Sequence, residues 1–339
     1  MKRFNISLAH TMLFAASEDS GNTSGNRGGK WVAVGDNGKM AHSADGVSWT
    51  AVADSAFGAG DICGIAYGGG KFVAVGAHGK MAYSSDGVNW TAVADSAFGT
   101  TFIQGIAYGN GKFVAVGGIP DKMAYSSDGV NWTAVADNAF GAGPAFSEIN
   151  GIAYGGGKFV AVGGDYNHGE IAYSSDGVNW TAVTDSTFGS NESDGIVGIA
   201  YGGGKWVAAD GGEIPAVSGN YDHGTVAHSA DGVNWTAVTD SAFGTNPAYS
   251  NICGIAYGDG KWVVVGHKMA YSADGVTWIA VTDSPFKSTF SYSIAYDGGK
   301  FVVGGRCGKM AYSADGMNWT AVADSTFGAK SIYGIAYKD

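Results

Sequence analysis

The chain repeats itself, and the repeat restricts its fold more than any other property does. The tetrapeptide GIAY, replaced once by SIAY, begins at Gly64, Gly105, Gly151, Gly198, Gly254, Ser293 and Gly334. Lys followed by Phe or Trp and then Val begins at Lys30, Lys71, Lys112, Lys158, Lys205, Lys261 and Lys300. The pattern S-x-D-G-x-x-W begins at Ser43, Ser84, Ser126, Ser174, Ser229, Ser272 and Ser313. Each motif occurs seven times, and the spacing of GIAY runs from 39 residues (Gly254 to Ser293) to 56 (Gly198 to Gly254). The stretch MAYSSDGVNWTAV at Met81–Val93 returns unchanged at Met123–Val135. Self-similarity at this period marks an architecture in which each unit is one supersecondary element that buries its faces against its neighbours.

Each unit reads as four short strands in the order GIAY, KFVAV, MAYS and NWTAV. A glycine hairpin, GGGK or a variant of it, joins the first two. Asp-Gly, a strong hairpin signal, joins the last two. The 58 glycines follow no collagen triplet, and a hydrophobic content of 45% argues against disorder. Four antiparallel strands recurring at this period describe a propeller blade. The phase of the repeat adds closure. The first copy opens with a second strand at Lys30, and a GIAY at Gly334–Tyr337 has no second strand after it. The expected fold is therefore an all-β, seven-bladed β-propeller of four-stranded antiparallel blades over residues 30–339. The C-terminal strand completes the N-terminal blade, which removes the exposed sheet edges an open array would leave. Residues 1–29 are expected to be a signal-like segment or arm.

At S-x-D-G-x-x-W the chain resembles the Asp-box, or BNR, repeat of sialidase-like β-propellers. That family's pattern is S-x-D-x-G-x-T-W, on the hairpin between the third and fourth strands of a blade. Here Ser84, Asp86, Gly87 and Trp90 stand for its Ser, Asp, Gly and Trp; the box is one residue shorter, and Asn89, Ser48 or Thr277 stands for its Thr. The resemblance runs through all seven boxes. Read physically, Asp45, Asp86, Asp128, Asp176, Asp231, Asp274 and Asp315 accept turn amides, and the Gly supplies a positive φ. Trp49, Trp90, Trp132, Trp180, Trp235, Trp278 and Trp319 start the fourth strands and pack between blades. Enzymes of that family hold a substrate carboxylate with three arginines, and they carry a Tyr nucleophile paired with Glu, an Asp acid/base and an F/Y-R-I-P motif. This chain has no R-I-P, and of its arginines (Arg3, Arg27, Arg306) only two lie near or within the propeller. Two guanidinium groups make no clamp of three, so sialidase chemistry is excluded and a non-catalytic member is expected.

A formal charge of −11, with 30 acidic against 19 basic residues, gives no basic stripe to displace counterions from nucleic acid. It equally disfavours an anionic membrane surface, and no apolar run approaches the ~20 residues of a membrane-spanning helix. Lys2 and Arg3 followed by a mildly apolar stretch to Ala16 resemble a secretory signal, so an extracellular or cell-surface location is expected. Cys63, Cys253 and Cys307 are too few for a disulfide framework. No G-x-S-x-G, H-E-x-x-H, C-x-x-C or phosphate-binding loop occurs, and no cofactor is expected.

Because the hairpins between strands one and two and between strands three and four hardly vary, one face of the ring is constant. The connections between strands two and three and between the fourth strand and the next first strand differ, which places function on the other face. There the chain offers Tyr166, His168, Glu170, Tyr221, Asp222 and His223 near Phe146 and Tyr249. Aromatic rings beside acids and histidines suit a sugar, through stacking and hydroxyl hydrogen bonds. A glycan or a cell-surface protein is the expected partner. Two alternatives stand beside this reading: a glycoside hydrolase using a pair such as Glu170 and Glu213, or a protein-docking scaffold. Glu18, Glu148 and Glu192 are the remaining glutamates. His78, His168, His223 and His267 fall in second-to-third loops of four different blades, so no metal site is expected. His42 and His228 replace the Tyr of AYS and read as packing variants. Cys63, Gln104, Asn150, Val197, Cys253, Tyr292 and Tyr333 each precede a first strand and are expected to ring the mouth of the central channel.

Overall fold

The computed structural model describes residues 29–118, 121–140, 148–165, 168–184, 187–188, 195–210, 226–238, 252–287 and 289–338. They form seven sheets of four antiparallel strands each. From the axis outward, blade 1 runs Ile332–Lys338, Lys30–Gly35, Met40–Ser43 and Thr50–Ala51. Blade 2 runs Ile62–Gly68, Lys71–Gly76, Met81–Ser84 and Thr91–Ala92. The inner strands of blades 3 to 7 are Gly105–Gly109, Glu148–Gly155, Ile196–Gly202, Ile252–Gly258 and Ser291–Asp297. Each inner strand packs on that of the next blade. Ile332–Lys338 packs on both Ser291–Asp297 and Ile62–Gly68, so the ring closes. Closure is made by blade 1, where Trp31 stands opposite Tyr337 and Ala33 opposite Ile335.

The second strand of a blade is sandwiched between neighbours, which explains its unbroken apolar run. In Lys30–Gly35 every residue after the lysine is buried. Its alternation separates two interfaces. Val32 and Val34 join Ile65 and Phe72 of blade 2, while Trp31 and Ala33 join Val302 and Met310 of blade 7. Each such large side chain contributes about 1.5–3 kcal/mol by leaving water, and the core is accordingly a succession of interblade layers rather than one centre.

Three contacts recur between neighbouring blades. The lysine of the second strand donates to the backbone carbonyl of the following blade's Asp-Gly hairpin: Lys71 to Asp128 (3.0 Å), Lys112 to Asp176 (3.0 Å), Lys158 to Asp231 (2.7 Å) and Lys205 to Asp274 (2.6 Å). The closing seams use the same device, with Lys300 on Asp45 (2.7 Å) and Lys338 on Ser85 (3.0 Å). The glycine that ends an inner strand seats the next blade's tyrosine, as Gly68 does for Tyr108 and Gly109 for Tyr154; a Cβ at either would fall inside the ring. The hairpin glycine Gly87 (φ +71°) lies against Val32 of blade 1, whose Cγ2 an added Cβ would meet at 2.7 Å.

Two expectations needed correction. The fourth strand is two residues long, not five: Ala41 pairs with Ala51 and His42 with Thr50, and one further bond runs from the Val52 amide to the Met40 carbonyl. The Asp-Gly hairpin consumes the residues before it, so Trp49 precedes the strand. The tryptophans do pack between blades, Trp49 in the layer with blade 7 and Trp90 in the layer with blade 1. The fourth-to-first connections are also less variable than expected. Among the described residues, six of these connections open with a repeated plug in which Phe57, Phe98, Phe140, Phe188, Phe286 and Phe327 are buried. The plug's aspartate accepts the amide two residues on, as Asp95 does from Ala97 at 2.8 Å, and Ser96 donates to the Gly79 carbonyl at 2.6 Å. Variation starts only after this plug.

Candidate functional site at the channel mouth

The expected ring of residues is built by β-bulges. In the inner strands the register slips between Ile62 and Gly64, Ile149 and Gly151, Ile196 and Gly198, Ile252 and Gly254, and Ser291 and Ser293. A matching slip opposes Ile332 and Gly334 to Gly35 and Val34. The extra residue at each slip is Cys63, Asn150, Val197, Cys253, Tyr292 or Tyr333. In blade 3 the strand begins one residue after Gln104, whose amide donates to the Val116 carbonyl at 2.8 Å. A bulge leaves one residue outside the ladder and re-aims its side chain. Seven otherwise repetitive strands thus carry seven free choices at one end of the channel.

Those choices sort by chemistry around the ring. At blades 7 and 1 they are aromatic, Tyr292 and Tyr333 at 5.6 Å, and flanking residues extend the arc toward blade 6, where the bulged residue is Cys253: Phe290 stacks on Tyr292 at 6.1 Å and His267 meets Phe290 edge-on at 5.2 Å. Phe290 and Tyr292 are half-buried. Burial, and then the Asp36 carboxylate that its hydroxyl meets, push the Tyr333 phenol up from its ordinary value; burial raises Tyr292 as well. Neither is a phenolate at neutral pH. Asp36 also accepts the Ser331 amide at 2.7 Å, and Asp61 of blade 2 accepts the Asn37 amide at 2.8 Å. Next along the rim, His78 lies 6.0 Å from Phe102, which is 42% exposed.

Across blades 3 and 4 the mouth is polar. Gln104 Nε2 donates to Glu148 Oε2 at 3.3 Å, and Asn150 Nδ2 donates to the Ile196 carbonyl at 3.2 Å. Burial raises the Glu148 carboxyl above its usual range, and the Gln104 amide opposes that shift. Burial pushes the Cys63 thiol up to about 12, with Asp61 and Asp36 adding to the shift, and burial does the same to Cys253. Both are therefore protonated and poor nucleophiles.

The seven box aspartates lie on the opposite face and are fully engaged in their turns. Asp86 Oδ1 accepts the Val88 and Asn89 amides at 2.8 Å and the Ser84 hydroxyl at 3.0 Å, and its Oδ2 accepts Asn89 Nδ2 at 2.8 Å. The same pattern of turn amides recurs at Asp45, Asp128, Asp176, Asp231, Asp274 and Asp315. These carboxylates build hairpins.

Of the residues expected to bind on the variable face, Phe146, Tyr166, Tyr221, Asp222, His223 and Tyr249 lie outside the described residues, as do Glu192 and Glu213. His168 opens the third strand of blade 4 opposite Asp165, and Glu170, half-buried, stands opposite Gly163. Among the described residues no three His, Cys, Asp or Glu side chains are grouped so as to hold a metal. Six of the seven residues expected to precede the inner strands lie within them, at the bulges, and the aromatic arc was not read from the sequence. Phe290 and His267 belong to different repeats and to positions outside the repeated motifs, and only the ring brings them together.

The model of the DUF6242 β-propeller domain matches residues 10–209. No curated protein matches the sequence. Similar solved structures include a YCF48 bound to a D1 peptide, at 16% identity over 86% of this chain and 88% of that one with a TM-score of 0.58. YCF48 from Cyanidioschyzon merolae is 16% identical over 82% and 95%, with a TM-score of 0.56. A nidogen/laminin complex is 11% identical over 91% and 98%, with a TM-score of 0.50. At these identities the likeness is one of fold.

Proposed function

We propose, for a chain that belongs to the DUF6242 β-propeller domain family, a non-catalytic binding module that receives a polypeptide segment across the mouth of its variable face. One observation carries this reading. Two groups of rim rings, His267, Phe290 and Tyr292 backed by the buried Tyr333, and His78 with Phe102, put aromatic surface on the end of the channel where the repeat is broken. Aromatic anchors of this kind dominate recognition surfaces because they offer large area at little entropy cost. Two of the similar folds are a peptide-bound YCF48 and a nidogen/laminin complex, which supports a propeller used for binding.

A library of random dodecapeptides displayed on phage and panned against the immobilised protein tests this. Wild type is expected to enrich a consensus that the Phe290→Ala/Tyr292→Ala variant fails to hold, while Asn131→Ala/Asn179→Ala on the constant face holds it. Equal enrichment by all three proteins would overturn the assignment of the mouth.

The glycan reading rests on Tyr166 and Tyr221 in the variable loops. A glycan array hit lost on Tyr166→Ala or Tyr221→Ala would favour it over a polypeptide. Extracellular or cell-surface placement belongs to the same proposal. A glycosidase would be recognised by turnover of aryl glycosides that Glu170→Gln or Glu213→Gln removes.

A further inference from the structure

The charge of the variable face is divided as sharply as its aromatic surface. From Met123 to His267 the only lysines are Lys158, Lys205 and Lys261, and there is no arginine. All three are committed to the constant face, Lys158 and Lys205 on the Asp231 and Asp274 carbonyls and Lys261 beside the Asp259 carboxylate. The variable-face ends of blades 3 to 5 carry Asp137, exposed, Glu148 and Glu170, half-buried, and Asp210, buried, against one lysine, Lys122, whose ammonium is committed to the Phe98 carbonyl at 3.0 Å. The connections of that stretch add Asp185, Glu192, Asp194, Glu213, Asp222 and Asp240 in sequence and no lysine or arginine. The aromatic arc is different, because Arg306, Lys268 and Lys330 share its side of the ring with Asp36 and Asp61. Among the described residues of the acidic sector, Glu148 is the carboxylate carried by an inner strand. It opens the blade 4 inner strand beside the bulged Asn150, and its partner among the described residues is the neutral amide of Gln104.

Resting on the polypeptide-binding reading above, we infer that the bound segment is cationic. Its apolar part lies on the aromatic arc of blades 7 and 1, and a Lys or Arg reaches across the mouth to Glu148. A half-buried carboxylate without a cation is a poor arrangement for the free protein, because desolvation disfavours its charged form. An incoming guanidinium or ammonium reverses that penalty and gains a charge-assisted hydrogen bond at a site with reduced access to water. The described acids Asp137 and Glu170 add long-range attraction that favours the same sign of partner and raises its association rate. The positively charged side chains near the arc set polarity, since a segment lying the other way round would bring like charges together.

Fluorescence anisotropy of the intact protein with labelled dodecapeptides is the test. The first probe carries three aromatic residues at one end and three arginines at the other; in two companions glutamine or glutamate replaces the arginines. At about 0.15 M salt, where surface charge is screened beyond ~8 Å, the arginine peptide is expected to bind about tenfold more tightly than the glutamine peptide, a difference of about 1.4 kcal/mol. Glu148→Gln, which keeps the hydrogen bond to Gln104, is expected to remove most of that difference and leave the glutamine peptide's Kd unchanged. Asp259→Asn/Asp297→Asn on the constant face is expected to change nothing. If the glutamine peptide binds as tightly as the arginine peptide, and Phe290→Ala/Tyr292→Ala still abolishes both, the charge inference falls and the binding reading stands. An arginine advantage that survives Glu148→Gln, or that Asp259→Asn/Asp297→Asn weakens equally, overturns the seat at Glu148. Failure of all three peptides to bind wild type overturns both readings.

Discussion

Protonation chemistry at single residues makes this ring sensitive to acid in two separate windows. In blades 3, 4 and 7 the lysine that staples the next blade also lies over a tyrosine ring, with Lys112, Lys158 and Lys300 at 6.0, 5.3 and 5.7 Å from Tyr125, Tyr173 and Tyr312. In blades 1 and 5 the same strand position is His42 or His228, near Lys30 and Lys205 respectively. Burial first, and then the neighbouring ammonium, lower both imidazoles, while Asp86 and Asp274 of the next blades oppose this. A histidine depressed in the folded state takes up its proton more readily when unfolded, so stability is lost as pH falls below about 6.5. The box aspartates act lower down. The Ser48 amide chiefly holds Asp45 at about 2, and the Asn89 amide chiefly depresses Asp86. Their contribution is present above pH ~4 and disappears as pH falls through their folded values. Melting temperature followed from pH 8 to about pH 1.5 should therefore decline in two steps. His42→Tyr/His228→Tyr, which restores the residue of the other blades, should shrink the upper step, with the remainder belonging to His267, itself lowered by burial and Lys268. An upper step of unchanged size in that variant would show that these two seams are not the acid-sensitive ones.

At the scale of strand and turn, glycine does three different jobs in blade 2, and substitution separates them. Gly70 has φ +80° with nothing within 4 Å of an added Cβ, so Gly70→Ala bears only the left-handed strain of about 1–2 kcal/mol. Gly68 carries no such φ but seats the Tyr108 ring, so Gly68→Ala drives the tyrosine out of its place and opens the layer between blades 2 and 3. Gly87 has φ +71° and a 2.7 Å approach to Val32, so Gly87→Ala bears both penalties. The expected order of destabilisation by urea titration is Gly70→Ala, then Gly68→Ala and Gly87→Ala, with losses of about 1, 3 and 3 kcal/mol or more. Ala97, a non-glycine residue at φ +66°, gives the converse: Ala97→Gly should be neutral or stabilising. A Gly70→Ala variant as damaged as Gly87→Ala would sink the assignment of interblade packing to Gly87. The same elements explain what could be read from the letters. Strand order and the Asp-Gly hairpin were legible because every blade spells them alike. The brevity of the fourth strand was not, since hydrogen bonds inside the hairpin decide where the ladder resumes. The Phe98 plug was spelled out in each repeat but was masked by the unequal length of the connections that contain it. The bulges were not legible, because the bulged position has no shared residue type: it is Cys in two blades, Tyr in two, and Gln, Asn and Val in the others.

For the whole molecule the decisive quantity is closure, since an open array of these blades would expose two sheet edges and two apolar faces. Ile332, Tyr333, Ile335 and Ala336 are buried, and they complete the layers toward both neighbours. The seam is also bonded outward on each side, by Lys300 to Asp45 and by Lys338 to Ser85. Mouth and seam are linked through Tyr333, which sits on the closing strand and in the aromatic arc at once, so a ring that fails to close also loses one member of the run Phe290, Tyr292, Tyr333. Removing residues 331–339 is therefore expected to do more than subtract one strand's burial. The unfolding transition should broaden or split as blade 1 loses its inner strand, and the melting temperature should fall by about 10 °C or more, on the basis of roughly 2–4 °C per kcal/mol for a chain of this class. A synthetic peptide with the sequence of Ser331–Lys338 should restore part of the loss in a concentration-dependent way, because a ligand that binds only the folded ring stabilises it by mass action. The same peptide with Tyr333→Ala should restore stability less well, and full-length protein should not respond to either. A truncated chain that melts where the full chain does, with no response to the peptide, would mean that the ring is held by its other interblade layers and that the mixed blade adds nothing to them.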